Sequence, residues 1–151
     1  EKIEYIPNFV DDEQFYPMGE KERMDARRAF GLDTEKFMVL CAGQMQKRKG
    51  FLDFLETARR CPDMQFVWAG GFSFGKIIDG YDEIRHAAEH LPVNVTLTGI
   101  VPREKMNSLY NAADVFFATS VTRRNCAPRN SVYGTPWNAS GALQTFPSAP
   151  S

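Results

Sequence analysis

The sequence lacks most features that would direct it to a membrane, a nucleic acid or an oxidising compartment. No apolar run approaches the roughly 20 residues needed to span a bilayer, and no signal peptide opens the chain. Its 18 Lys and Arg residues against 19 Asp and Glu leave a net charge of −1, so nothing in the balance calls for a polyanion. The one dense basic run, Lys47-Arg48-Lys49, is too short for a polybasic tail. The three cysteines, Cys41, Cys61 and Cys126, form no CxxC pair and are odd in number. Free thiols in a reducing, cytoplasmic setting are the simplest reading. Residues 121–151 contain no Asp or Glu at all.

At 151 residues the chain is long enough for one domain with a real core and too short for two. Hydrophobic residues at 43% and charged residues at 25% describe a soluble globular protein. The opening Glu1-Lys2-Ile3 has no initiator Met and reads as the middle of something longer.

Short apolar runs alternate with amphipathic helical patterns up to about residue 118. Residues 3–6 form a brief strand, followed by the Pro7-Asn8 turn and a polar loop to Gly19. Residues 20–30 read as a helix stopped by Gly31. Residues 37–42 are apolar throughout, as expected of a strand buried on both faces. Residues 50–60 place Phe51, Phe54, Leu55 and Ala58 on one helical stripe. Residues 65–69 are a second buried strand, and Tyr81, Ile84, Ala88 and Leu91 mark the next helix. Residues 94–98 form a third strand. Pro102 opens a helix carrying Met106, Leu109, Tyr110 and Ala113 on one side, and residues 114–118 form a fourth buried strand. Strand and helix in strict turn predict an α/β fold, a Rossmann-like parallel sheet with helices on both faces.

Ligands of such sheets bind at the carboxyl ends of the strands. Here those ends are Gly43, Gly70-Gly71 and Gly99, and glycine lets backbone approach a ligand with no Cβ between. The stretch from Gly43 through Gln44, Arg48 and Lys49 to Gly50 joins a strand to a helix, so its cations fall beside a helix N-terminus suited to a diphosphate. A solvated basic turn is the plainer alternative. The turn at Gly99, Ile100 and Val101 offers apolar residues to a base or ribose, or is only a helix cap.

Three further patterns carry less. Residues 70–76 fit GxxxxGK, but Ile77 stands where magnesium coordination needs Ser or Thr. His86, Glu89 and His90 fit HxxEH without further ligands at metal spacing, so an exposed helical face is the better reading. Asn94 and Asn138 head N-glycosylation patterns that read as chance.

In order and spacing, several segments resemble one known family. Ile6-Pro7-Asn8, Ala42-Gly43-Gln44 with Arg48-Lys49-Gly50, Trp68-Ala69-Gly70-Gly71, Thr98-Gly99-Ile100-Val101 and Asn111-Ala112-Ala113-Asp114-Val115 are similar to the C-terminal domain of retaining glycosyltransferases of family four. The phrasing around Gly43 and Lys49 is similar to the bacterial branch that glucosylates or galactosylates membrane lipids such as diacylglycerol. The resemblance implies the C-terminal half of a GT-B fold, binding a nucleotide sugar, most often a UDP-hexose. It implies that Lys49 contacts the donor diphosphate with Arg48 beside it and the amides of Gly43 and Gln44. Many relatives have arginine where Gln44 stands. Backbone at Ile100 and Val101 would hold the base, and Gly70 and Gly71 would line the cleft floor. It implies no metal, no cofactor and no catalytic group within this half. An absent N-terminal domain would supply the acceptor, a lipid or saccharide, and any contact with the inner membrane face.

The resemblance divides the chain into a linker and first strand over residues 1–19, a donor-binding domain over 20–120, and an atypical tail over 121–151. The family continues with a Ser-x-x-Glu segment and a Glu-x7-Glu motif, and neither is present. Gly134-Thr135-Pro136 and Gly141-Ala142-Leu143 are nevertheless similar to a later loop of the family. Reading residues 122–130 one base later, under degenerate codons, permits Asp-Glu-Thr-Ala-Pro-Leu. This predicts a shift of reading frame near residues 120–122 with a non-native tail beyond. A divergent loop is the alternative. A parent gene that encodes the tail as written sinks the shift, whereas a family-like frame running through the break supports it.

Overall fold

The computed structural model describes residues 10–72 and 80–119. The strand expected at residues 3–6, the GxxxxGK pattern from Ser73 onward, Asn138 and the tail lie outside them. Helix α1 spans Glu20–Ala29, and the Glu22 carboxylate accepts the Gly19 amide at 2.9 Å to close its first turn. It ends at Phe30, and Gly31 follows at φ +66°, a stop that only glycine reaches without strain.

Strand β1, Met38–Ala42, follows a polar loop, and helix α2, Phe51–Arg60, follows β1. Strand β2 is Gln65–Ala69, helix α3 Tyr81–Glu89, strand β3 Val95–Gly99, helix α4 Arg103–Ala112 and strand β4 Val115–Phe116. The four strands lie in the order β3-β2-β1-β4, all parallel. Cα partners run from Met38↔Gln65 to Ala42↔Ala69 and from Phe66↔Val95 to Ala69↔Gly99.

Apart from Gln65, which opens β2 and hydrogen-bonds to the loop before β1, the central strands are apolar because each side chain meets a core, on one face or the other. Val39, Cys41, Phe66, Trp68 and Val95 pack with Phe51, Phe54, Leu55 and Ala58 of α2 and Ile84 of α3. Met38, Leu40, Val67 and Ala69 face Ala26 of α1 with Leu109 and Ala112 of α4. Trp68 anchors the first layer, edge-on to Phe51 at 5.1 Å and Phe54 at 5.2 Å.

Two strand expectations shorten. Phe37 stays outside β1 and is 49% exposed, and only two residues of the fourth run pair, Val115 with Val39 and Phe116 with Leu40. Among the described residues β4 is an edge, so Phe116 is half exposed, stacked edge-on with Tyr110 at 5.7 Å.

Two polar clusters tie elements together. Asn94 donates to the carbonyls of Ala58, Cys61 and Met64 at 2.9–3.0 Å, closing the end of α2, so its amide nitrogen is committed rather than free for a glycan. At the amino end of the sheet, Asp114 accepts from the Met38 amide at 2.6 Å and from Arg27 Nη2 at 2.8 Å, and pairs with Arg23. Arg27, 2% exposed, also donates to the carbonyls of Ala112, Thr34 and Lys36. Burial alone would raise the Asp114 carboxyl, but the Met38 amide and the two guanidiniums outweigh it and hold it below the usual carboxylate range.

Candidate functional site

The strand order reverses between β1 and β4: the chain builds outward from β1 to β3, then crosses back to place β4 on the other side of β1. In open parallel sheets the crevice outside the carboxyl ends at such a reversal is where ligands bind. Four glycines pave it. The Gly43 amide donates to Ala69 O at 2.8 Å, the Gly70 amide to Gly99 O at 2.8 Å, and the Met45 amide to Gly71 O at 3.3 Å. A Cβ on Gly70 would stand 1.9 Å from the Gly43 carbonyl oxygen, and one on Gly71 would stand 3.3 Å from Ile100 Cγ1. The Trp68 indole donates to that same Gly43 carbonyl at 2.9 Å, so the buried ring both fills the core and fixes the floor above it.

Above the floor the chain makes a short 3-10 turn at Lys47–Lys49, closed by Gly50 at φ +71°, before α2 begins. A Cβ at Gly50 would stand 2.2 Å from Thr119 O, and Thr119 Oγ1 donates to Lys49 O at 2.6 Å. The exit of β4 is thus clasped to the basic turn across the reversal. The three cations of the turn go different ways. Lys47 Nζ reaches Glu83 of α3 at 2.6 Å, and Arg48 is exposed. Lys49 is half buried, with its stem over Gly43, Cδ 4.0 Å from where a Cβ would be. Among the described residues no carboxylate lies within ion-pair distance of Lys49. Burial pushes the Cys41 thiol up, against hydrogen bonding with Thr119 and Ala42 and the charge of Lys49, so beneath this turn it is a neutral thiol at pH 7.

The structure therefore brings Gly43, Gln44, Lys49, Gly70, Gly71 and Ile100 to one end of the sheet. Ile100 is 77% exposed there, an apolar side chain left open to the crevice. Val101 is partly buried against the core that contains Leu109 and Ala112 of α4. One expectation needs correction: the Gly43 amide is spent on Ala69 and is not available to an anion, because the parallel register extends one residue past β1. Helix α2 begins at Phe51, directly after this turn, with Gly50 as its N-cap.

Sequence reasoning missed the Trp68 bond, the Thr119 clasp and the burial of Gln46, which is 6% exposed and donates to Gln44 Oε1 at 2.7 Å. A buried indole before Gly-Gly was a usable signal, since a buried N–H needs an acceptor. The Thr119 clasp depends on a pairing 70 positions away, and the burial of Gln46 leaves no mark on its neighbours in sequence. In the HxxEH pattern, Glu89 accepts from Arg85 Nε at 3.0 Å, and His86 and His90 stack at 4.4 Å with His90 Nδ1 2.8 Å from the His86 carbonyl.

Residues 22–125 match the model of the family described as glycosyl transferases group 1. Over 120 residues the chain is 45% identical to the alpha-galactosylglucosyldiacylglycerol synthase of Streptococcus pneumoniae, covering 80% of this chain and 32% of that protein. Over 101 residues it is 32% identical to the processive diacylglycerol alpha-glucosyltransferase of Acholeplasma laidlawii, covering 66% of this chain and 30% of that one. It thus spans about a third of the length of these relatives. A solved C-terminal domain of a glycosyl transferase group 1 family protein from Francisella tularensis shares its fold, with a TM-score of 0.58 and 22% identity over 74% of this chain and 59% of that one.

Proposed function

The chain belongs to the glycosyl transferases group 1 family, and from that premise we propose that it is the donor-binding half of a retaining, GT-B hexosyltransferase. The donor is a nucleotide sugar, a UDP-hexose, and the acceptor is a lipid or saccharide held by a separate N-terminal domain. One observation carries this reading: a half-buried lysine lies over a glycine floor at the sheet reversal, with no carboxylate paired to it among the described residues. A buried-side ammonium without a counter-charge favours an anionic ligand.

In this reading the diphosphate rests between Lys49 and the first turn of α2. Arg48 stands at the rim, and Gln44 adds an amide. Gly70 and Gly71 let the ligand approach the backbone, while the base lies against Ile100 and the backbone of Val101. When the bond between sugar and phosphate breaks, negative charge grows on the departing diphosphate. Lys49 and the helix N-terminus oppose that charge in a place where water competes poorly. The chain alone holds one substrate and cannot orient two, so it binds donor without turning it over. Among the described residues no helix is long and apolar enough to cross a membrane. Attachment to a lipid surface is assigned to the acceptor domain, in keeping with the glycolipid relatives.

Replacing Lys49 by Ala is expected to weaken UDP binding by about 1.5 kcal/mol, roughly tenfold. Calorimetry with UDP, GDP and ADP on parent and variant measures it. Equal affinities for the two proteins would remove Lys49 from the site. A parent that binds none of the three nucleotides would favour a non-catalytic phosphate-binding module instead.

A further inference from the structure

Gln46 sits in the turn after β1 and is 6% exposed. Its Nε2 donates to Gln44 Oε1 at 2.7 Å, while its own Oε1 is buried with no hydrogen-bond partner among the described residues. Buried acceptors are almost always satisfied in folded proteins, and an orphan is destabilising. The carboxamide at position 46 therefore carries a cost in stability, and the bond it makes is to Gln44.

We propose that Gln46 is a positioning residue for the nucleotide donor. By occupying the Gln44 oxygen it leaves Gln44 only its NH2 to offer, two neutral N–H donors suited to anionic phosphate oxygens above Gly43. This rests on the reading that a nucleotide diphosphate occupies the floor. A free carboxamide turns its oxygen or its nitrogen outward with similar ease, and an outward oxygen repels phosphate. The hydrogen bond removes that choice before the ligand arrives, which lowers the ordering cost of binding.

The test uses Gln46→Met, similar in volume and without polar atoms, on the 151-residue chain with UDP as probe. Thermal unfolding is expected at the parent temperature or above it, because the orphan acceptor is gone. The UDP dissociation constant is expected to rise about threefold to tenfold. In the parent, the Gln44 side-chain NH2 signals in nitrogen–proton correlation spectra, assigned by their loss in Gln44→Ser, shift as UDP is added. In Gln46→Met they move toward free-amide positions and respond less. An unchanged dissociation constant, Gln44 signals indifferent to UDP in the parent, or a loss of thermal stability in step with affinity would each overturn the proposal. Lys49→Ala separates the two levels: if it weakens UDP binding while Gln46→Met does not, only the positioning role fails. If neither variant changes affinity, the site reading fails with it.

Discussion

Gly70→Ala is expected to destabilise the domain by more than about 3 kcal/mol and to lower its melting temperature by at least about 10 °C. Two effects add. The residue sits at φ +141°, which L side chains rarely adopt, and its new Cβ would stand 1.9 Å from the Gly43 oxygen and 2.7 Å from the Gly43 carbonyl carbon. The obstacle is backbone, so no side chain can swing aside. Moving the Gly43 carbonyl away breaks its 2.9 Å bond from the Trp68 indole, stranding a buried donor, and strains the adjoining bond from the Gly43 amide to Ala69. Gly31→Ala is the natural control. It also has a positive φ, +66°, but a Cβ there meets nothing within 4 Å, so about 1 kcal/mol is expected from backbone strain alone. Circular-dichroism melts of both variants decide the matter, and a Gly70→Ala protein melting within 2 °C of the parent (a margin set by the ~4 °C scale of a 1 kcal/mol change) would overturn the account.

Asp114→Ala is expected to be destabilising by roughly 3 kcal/mol at pH 7. Arg27 keeps its bonds to three carbonyls, but its side chain, 3% exposed, loses the carboxylate that neutralises its charge, and the Met38 amide loses its acceptor. The pH dependence has a definite sign. The folded carboxyl is held below its unfolded value of about 3.9. Its contribution is therefore fully present above pH about 4 and is lost as pH falls through the lowered folded value. Urea midpoints of parent and variant should differ most near neutrality and converge in acid. A gap that stays constant from pH 7 down to about 3 would show that the charge on Asp114 is not what matters.

Much of this fold was legible because the physics behind it is local in sequence. Residues 65–69 read as a strand buried on both faces and form one, and Gly31 ends its helix where a left-handed residue is required. The fourth strand was legible only in part, since an apolar edge residue such as Phe116 looks the same in sequence as a buried one. At the site, glycine at each strand end showed where backbone could approach a ligand. What could not be read was register. Whether the Gly43 amide is free depends on how far β1 stays paired with β2, and nothing in residues 43–50 reports that. The Asp114 cluster was hidden for the same reason: its cations lie 87 and 91 positions away along the chain.

The hydroxyl of Thr119 reaches the carbonyl of Lys49 across 70 positions of sequence. A ribosome releases the basic turn long before it releases the residue that pins it. Until then the turn's own backbone bonds, from Lys49 to Gln46 and from Gly50 to Lys47, hold it without that clasp. Pairing β1, β2 and β3 therefore does not call on the residue that clasps the turn.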